Sequence, residues 1–384
     1  MEKAVVRHFI NRGGQLPVKP VIIIDFDPDT DVLIIDEPGL SRKDLVFEQD
    51  LNDTVIRLSD SFIILATLKN VNAIDLDPVP FLKRFYNALA ENDIDEILIF
   101  LADDVLWEMG GPQDILPWAG KWEGKAEVTR FFEFQSKRLA FEKLNPTRFV
   151  AQGNTVAVVL EGNGETKSGK AFAGGVVQWV TVRNGKIAHL QCYRDTFPII
   201  EALHGGRPFK VDASETGSQH YVNQPIASLR TTDSIVFDEA VFDNVPATVK
   251  SARAMYAALQ GLKSEDVRKA FAPNVIWHMF GPRDIIAWAG ERIGPIAAVE
   301  SARQIIETMR FDHFKAVRMI YQDNVAAVLI DEPGVSKATG LSFHTSVVHI
   351  VVVNEDGKVA SIHNYVNTAE IVEAFLGGRP YTVN

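Results

Sequence analysis

Hydrophobic positions change their period along the chain. The first 77 residues hold short apolar runs separated by Asp, Asn, Pro and Gly, which is typical of strands joined by turns. We therefore predict a small all-β unit over residues 1–77. The runs that predict its strands are 21–24, 32–35, 45–47, 54–58 and 62–65.

After residue 77 the apolar residues take helical spacing. Phe81, Phe85, Ala88 and Leu89 predict a helix over 80–90, because they share one helix face. The same reasoning predicts further helices over 93–101 and 124–139. Alternating runs predict strands over 105–109, 147–152, 155–160, 174–183 and 186–196. Helices followed by an antiparallel sheet indicate the α+β class.

This order of elements occurs twice. The segment GPQDILPWAG at 111–120 returns as GPRDIIAWAG at 281–290, an offset of 170 residues (Gly111 to Gly281). A period this long indicates duplication of a whole domain, since solenoid repeats are 20–50 residues long. We predict one domain over 78–210 and a second over 245–384, joined by a polar linker over 211–244.

The composition of the chain limits the classes of function that it can have. The net charge of −11 argues against a nucleic-acid partner, because phosphates need a basic face. No apolar run has the length of a membrane span, and no signal peptide is visible, so we expect no membrane partner. We expect a soluble, cytoplasmic protein, with non-classical export left open. The single cysteine, Cys192, excludes an intrachain disulfide framework.

Several ordered motifs carry a resemblance to a known family. They are the helix at 85–93, the strand entry ADDVLWE at 102–108, the WAG of 118–120 and the closing YRDT of 193–196. In this order they resemble the SnoaL-like branch of the NTF2-like (ketosteroid-isomerase-like) superfamily. The resemblance implies two tandem cone-shaped domains, each a curved antiparallel sheet around helices with an apolar pocket. It also implies pairing through the sheets, as an intramolecular pseudo-dimer or a homo-oligomer.

The resemblance can be tested against steroid-isomerase chemistry. That chemistry uses a carboxylate base where this chain has Met109 and Met279. It uses a buried aspartic acid where this chain has Gln178 and His349. Because methionine cannot accept a proton, we do not expect that reaction with those groups.

Four residues are candidates for acid–base catalysis. His349 lies in an apolar strand and can titrate near neutral pH, or it is a core histidine. Asp195 follows Tyr193 and Arg194, and the resemblance implies a late-strand carboxylate acid or base; a surface Arg194–Asp195 pair is the alternative. Asp114 and Asp284 lie in the repeated GPxD loop, as bases over a pocket or as turn caps. The residues predicted to bind substrate are Gln178, Trp107, Trp118, Met109, Tyr193, Arg194, Trp277, Met279, Trp288 and Asn364.

A second resemblance concerns the N-terminal unit. The segment around Asp25, Asp27, Asp29, Thr30 and Asp31 resembles the stretch that trails haemolysin-type (RTX) calcium-binding repeats, which implies a bacterial source. Its oxygen-rich side chains suit Ca²⁺, but the glycine-rich repeat itself is absent, so a turn held by Asx hydrogen bonds is the simpler interpretation.

Two functions remain open at this point. The first is an enzyme that performs acid–base chemistry without a cofactor, such as cyclisation, isomerisation or dehydration. Its substrate would be an apolar, oxygenated small molecule of polyketide, steroid or terpenoid type. The second is a non-catalytic module for ligand binding or assembly. No nucleotide-binding loop or zinc-ligand spacing occurs, so we expect no cofactor and no metal.

Overall fold

A computed structural model describes residues 7–10, 17, 19–28, 31–35, 44–205, 247–261 and 264–378 of the chain. The predicted linker 211–244 lies outside these residues, as do Asp29 and Thr30 of the N-terminal loop. The N-terminal elements are β1 (Arg7–Phe9), β2 (Val21–Ile23), β3 (Val32–Ile34), β4 (Leu45–Asp50), β5 (Asp53–Leu58), β6 (Ile64–Leu68) and α1 (Ala73–Leu76).

The next stretch, 79–205, is called the first half below. Its helices are α2 (Val79–Glu91), α3 (Ile94–Phe100), α4 (Gly124–Arg138) and α5 (Phe197–Leu203). Its strands are β7 (Leu101–Met109), β8 (Gly120–Glu123), β9 (Leu139–Gln152), β10 (Thr155–Thr166), β11 (Ala171–Arg183) and β12 (Lys186–Arg194).

The stretch 247–378 is called the second half. Its helices are α6 (Ala247–Gly261), α7 (Ser264–Ala270), α8 (Pro295–Thr308) and α9 (Thr368–Phe375). Its strands are β13 (Phe271–Met279), β14 (Gly290–Ile293), β15 (Met309–Phe311), β16 (Lys315–Gln322), β17 (Val325–Ser336), β18 (Ser342–Val353) and β19 (Val359–Val366).

The two sheets repeat one strand order. The first runs β8-β7-β12-β11-β10-β9, and the second runs β14-β13-β19-β18-β17-β15, with β16 also paired to β17. In both, the first long strand lies parallel to the last strand, and the other pairings are antiparallel. The fold is α+β, with a curved sheet around helices in each half, as the sequence predicts.

Local sequence explains several element ends. Asp93 begins α3 as its N-cap, since its carboxylate accepts from the backbone N–H of Glu96 at 3.0 Å. Asn184 and Gly185 both have positive φ and form the β11–β12 hairpin that their dipeptide predicts. The predicted strand over 147–152 is the end of the longer β9, which begins at Leu139 directly after α4. The pattern also missed β8 and α5, which are short.

The outer faces of the two sheets pack against each other. Strand alternation separates Val177 and Trp179, which join this contact, from Val176 and Val180, which face the helices. The contact is apolar and draws on both halves: its buried members are Val150, Ala157, Val159, Val177, Trp179, Ile320, Val325, Ala327, Val348, Ile350 and Tyr365. Buried apolar residues of the two interiors form one contiguous second cluster.

Hydrogen bonds between the halves come in reciprocal pairs. The backbone N–H of Ala151 donates to Gln322 Oε1 at 2.9 Å, and that of Tyr321 donates to Gln152 Oε1 at 3.3 Å. Gln152 and Gln322 occupy equivalent positions at the offset of 170. Such mutual contacts are what a two-fold axis between two copies produces.

The N-terminal unit has its own small core beneath the sheet β2-β6-β5-β4. In its acidic loop the backbone N–H of Asp27 donates to Asp31 Oδ2 at 3.0 Å, and His8 Nε2 lies 3.0 Å from the same oxygen. The Asp31 carboxylate therefore closes this loop on its own backbone and connects it to β1. Among the described helices, none is long and apolar enough to cross a membrane.

Candidate functional site

A row of cross-strand neighbours lines the interior of the first half. Met109 pairs with Cys192, and Cys192 pairs with Gln178 on the next strand. Tyr86 on α2 donates its hydroxyl hydrogen to Gln178 Oε1 at 2.7 Å. Burial raises the pKa of the Cys192 thiol to about 12, so this thiol is neutral and unreactive at physiological pH.

The equivalent row of the second half has different chemistry. Met279 pairs with Asn364, and Asn364 pairs with His349. Tyr256 on α6 lies 2.8 Å from His349 Nδ1 through its hydroxyl, and Asn364 Nδ2 lies 2.9 Å from His349 Nε2. These three side chains form one buried, hydrogen-bonded chain, which we call the Tyr–His–Asn chain.

The imidazole of this chain is neutral. Burial lowers the pKa of His349 to about 3, because its charged form would lose hydration without a carboxylate partner among the hydrogen bonds of the described chain. If Asn364 donates to Nε2, the ring carries its hydrogen on Nδ1 and donates to Tyr256. If the amide is turned over, the ring donates from Nε2 and accepts from Tyr256.

Either orientation leaves one buried polar atom of Asn364 for another group. With Nδ2 on the ring, Asn364 Oδ1 is buried without a hydrogen-bond partner among the described residues. Turned over, the amide nitrogen takes that place. Because buried polar atoms are normally satisfied, this atom is a place where a ligand can bind.

The interior of the second half also holds a carboxyl group that the sequence pattern did not single out. Glu332 on β17 is 7% exposed and alternates with Val328 and Ile330, which face the helices. Burial is the main cause that raises the pKa of Glu332 to about 8, although the hydroxyl of Thr345 opposes this. The adjacent acids Asp331 and Glu332 are the signal that was available, since alternation turns one of two neighbouring strand residues inward.

The first half has a buried ion pair instead. Arg194 Nη1 donates to Glu142 Oε1 at 2.5 Å, and Gln135 Nε2 donates to the other carboxylate oxygen at 2.7 Å. Arg194 is therefore paired inside the half, and the alternative of a surface pair with Asp195 is wrong, because both residues are buried. The second half has Val366 at the position equivalent to Arg194.

Asp195 lies where the two halves meet. Its Oδ1 accepts from the hydroxyl of Thr368 and from the backbone N–H of Phe197. The matching contact reverses the halves: the hydroxyl of Thr196 donates to Asn367 Oδ1. Burial raises the pKa of Asp195, and the Thr368 hydrogen bond opposes that effect.

The other sequence candidates lie in three places. Asp114 and Asp284 are exposed in equivalent turns, in which the backbone N–H groups of Leu116 and Ile286 bond to the carbonyl oxygens two residues before each aspartate. Tyr193 packs with the cluster between the sheets, so its ring faces the other half. The four tryptophans Trp107, Trp118, Trp277 and Trp288 are buried in the interiors, with the methionines Met109 and Met279.

A surface cavity lies over one end of the second half. Its volume is about 440 Å³, and it is lined by Ile285, Glu307, Thr308, Lys337, Ala338, Phe375 and Leu376. Phe375 packs edge-on to Trp288, with 6.4 Å between the ring centroids. Lys337 and Ala338 belong to the turn that joins β17 to β18, the strands that carry Glu332 and His349.

The family of the first half follows from comparison with known proteins. Residues 82–190 match the family model of the SnoaL-like domain. This part of the chain is similar to SnoaL-like domains. The match runs from within α2 to within β12, so Tyr86, Met109 and Gln178 all lie among the matched residues.

Solved structures with similarity to this chain each correspond to about a third of it. An NTF2-like protein from Burkholderia xenovorans is 30% identical, over 33% of this chain and 94% of its own, with a TM-score of 0.30. A putative polyketide cyclase from Pseudomonas putida is 18% identical, over 32% and 93%, with a TM-score of 0.27. An LEH-like epoxide hydrolase from M. tuberculosis is 21% identical, over 33% and 87%, with a TM-score of 0.28. No curated protein matches the chain.

Side chains that could bind a metal ion are the last feature of the site. Within the described residues, no group of three or more His, Cys, Asp and Glu side chains has the geometry to hold a metal ion. His313 and His344 both bond to Asp331, at 2.8 and 3.0 Å, on the opposite side of β17 from Glu332. We treat these contacts as hydrogen bonds at the surface.

Proposed function

We propose that the chain is a SnoaL-like enzyme that performs acid–base chemistry without a cofactor on an apolar, oxygenated small molecule. We also propose that the second half is a SnoaL-like domain, and that the reaction takes place in its interior. The observation that carries this proposal is the buried Tyr–His–Asn chain. It leaves one polar atom of the Asn364 amide for a substrate oxygen in a largely apolar interior.

The substrate class follows from what surrounds this chain. Val328, Val347 and Val351 are buried on the strands that frame His349. Such an interior favours a hydrocarbon skeleton, because removing apolar surface from water drives binding. The remaining polar atom of the Asn364 amide can bond to a carbonyl or hydroxyl oxygen, as polyketides, steroids and terpenoids provide.

The first half supports a binding role better than catalysis. Its interior has Gln178 where the second half has His349, and Gln178 cannot exchange protons. Its buried arginine is neutralised by Glu142. The alternative function, a ligand-binding or assembly module, rests on these features and on the methionines at the base positions of both halves.

A substrate panel with matched variants tests the enzyme proposal. Polyketide, steroid and terpenoid hydroxyketones are incubated with the wild-type chain and analysed by liquid chromatography and mass spectrometry. We expect Tyr256→Phe and His349→Gln each to lower turnover about 10- to 100-fold, because each removes or weakens a positioned hydrogen bond. Glu355→Gln, in an exposed turn of the second half, is the control and leaves turnover unchanged.

Two results would contradict the enzyme proposal. One is turnover that neither variant alters. The other is a compound that binds the wild-type chain without being converted, which is the result that the binding module predicts.

A further inference from the structure

The Tyr–His–Asn chain lacks a group that exchanges protons near neutral pH. His349 is neutral at any pH above about 3, and burial raises the pKa of the Tyr256 hydroxyl well above its usual value. An acid–base reaction in the second half therefore needs another titratable group. This inference rests on the proposed function.

Glu332 lies between the surface cavity and the Tyr–His–Asn chain. On β17, Val328 pairs with His349, and the strand ends at Ser336, next to the turn that lines the cavity. At about 3.3 Å per residue, Glu332 is about 13 Å along the strand from each of these points. Glu332 therefore lies on the inner face of β17, between the turn that lines the cavity and the strand position opposite His349.

The buried carboxyl group of Glu332 has no equivalent in the first half. In the paired register of β17 and β18, Glu332 lies opposite Thr345. The equivalent pair of the first half is Gly162 and Gly174 on β10 and β11. Two glycines leave the first half without any side chain there, whereas the second half has a carboxyl and a hydroxyl group.

A buried carboxyl group at position 332 lowers the stability of the fold when it ionises. Leaving a charge unpaired in an apolar interior destabilises the fold, and proteins keep such groups chiefly at functional sites. Here no lysine, arginine or histidine is among the groups that act on Glu332. The surrounding titratable groups are Asp331, which repels it, and Tyr256 across the interior. The histidines His313 and His344 turn to Asp331 on the other side of the strand.

We infer that Glu332 is the catalytic proton carrier of the second half. In an isomerisation, its carboxylate takes a proton from the carbon beside a substrate ketone, and the electron pair of that C–H bond forms an enolate. The Tyr–His–Asn chain, about 13 Å away along β17, holds another oxygen of the same molecule. The same carboxyl group then returns the proton to a second carbon, so that the carboxylate is regenerated and the substrate formula is unchanged.

The protonation state of Glu332 can be measured without a substrate. The infrared carboxyl band that is present in the wild-type chain and absent in Glu332→Gln reports this group alone. We expect the band to persist at pH 7 and to disappear around pH 8. In Glu355→Gln the band is unchanged, since that glutamate is exposed.

Turnover of a panel compound supplies the second readout. We expect kcat/KM to rise with pH and to level off above about pH 8, as it does for a base that must be ionised. Glu332→Gln is expected to lower turnover at least 100-fold at pH 8.

The outcomes separate this inference from the proposed function. A carboxyl band that is lost near pH 5, or wild-type turnover in Glu332→Gln, overturns the assignment of Glu332. If Tyr256→Phe still impairs turnover in that case, the enzyme proposal stands. Binding without conversion of any panel compound overturns both.

Discussion

At the scale of single residues, equivalent positions of the two halves have acquired different chemistry. Gln178 bonds to Tyr86 on α2, and His349 bonds to Tyr256 on α6. The imidazole of His349 also bonds to the amide of Asn364. Gly162 has no side chain where Glu332 has a carboxyl group. The repeated strand order therefore places these side chains at equivalent positions, and side-chain identity sets the chemistry of each half.

Asp195 shows how a titratable residue can serve structure instead. We expect Asp195→Asn to change the free energy of unfolding by about 1 kcal/mol or less, because the amide oxygen can still accept from Thr368 as Asn367 accepts from Thr196. Turnover should stay within about twofold of the wild type by the same hydrogen-bond argument. Urea unfolding and the panel assay measure both quantities.

The companion variant is Thr368→Val, which removes the hydroxyl that donates to Asp195 and accepts from Phe197. It should cost about 1–3 kcal/mol, since two buried groups each lose one hydrogen bond, although the bond between Phe197 and Asp195 remains. A large loss of turnover in Asp195→Asn at unchanged stability would instead assign the aspartate an acid–base role.

At the scale of elements, most helices and strands could be predicted because their periods are strong. The spacing of Phe81, Phe85 and Ala88 marks α2, which the structure extends by one residue at each end of the predicted range. The early part of β9 escaped prediction because residues 139–146 include Lys, Asn and Pro and do not alternate. There the strand is stabilised by its long pairing with β10, which a local pattern does not report.

The site was less predictable than the elements. The sequence singled out Gln178 and His349 because the repeat aligns both with a position that carries chemistry in the family that the chain resembles. It did not identify Tyr86 and Tyr256 as site residues, because packing decides which side of a helix faces the sheet. It missed Glu332 because burial, which makes a strand glutamate informative, is a property of the folded chain.

At the scale of the whole molecule, the contact between the sheets depends on a glycine. A Cβ atom added to Gly175 would lie 2.2 Å from Phe280 Cζ of the other half. At Gly174, one residue earlier, the nearest atoms are 3.9 Å away, on Asp195. Phe280 therefore packs against β11 at a position where that strand has no side chain.

We expect Gly175→Ala to lower the free energy of unfolding by about 1–3 kcal/mol, because an overpacked contact must shift. Gly174→Ala is the matched control and should have a smaller effect. Adding Phe280→Ala should restore most of the stability that Gly175→Ala costs. Urea unfolding of the wild type, the two single variants and the double variant measures this coupling. Strictly additive effects would show that the cost of the alanine does not arise at this contact.

The buried carboxyl group of Glu332 makes the stability of the second half depend on pH. Its folded pKa of about 8 lies above the unfolded value of 4.5, so the folded chain binds the extra proton between these pH values. Stability from this group is therefore fully present below pH 4.5 and is lost as pH rises towards 8. The shift corresponds to a loss of at most about 5 kcal/mol.

The most direct measurement is the free energy of unfolding in urea from pH 5 to pH 9, for the wild-type chain and Glu332→Gln. We predict that the variant gains stability relative to the wild type as pH rises, by about 2–5 kcal/mol at pH 9, and that most of the gain develops before pH 8. A difference between the two chains that does not change with pH would contradict the account.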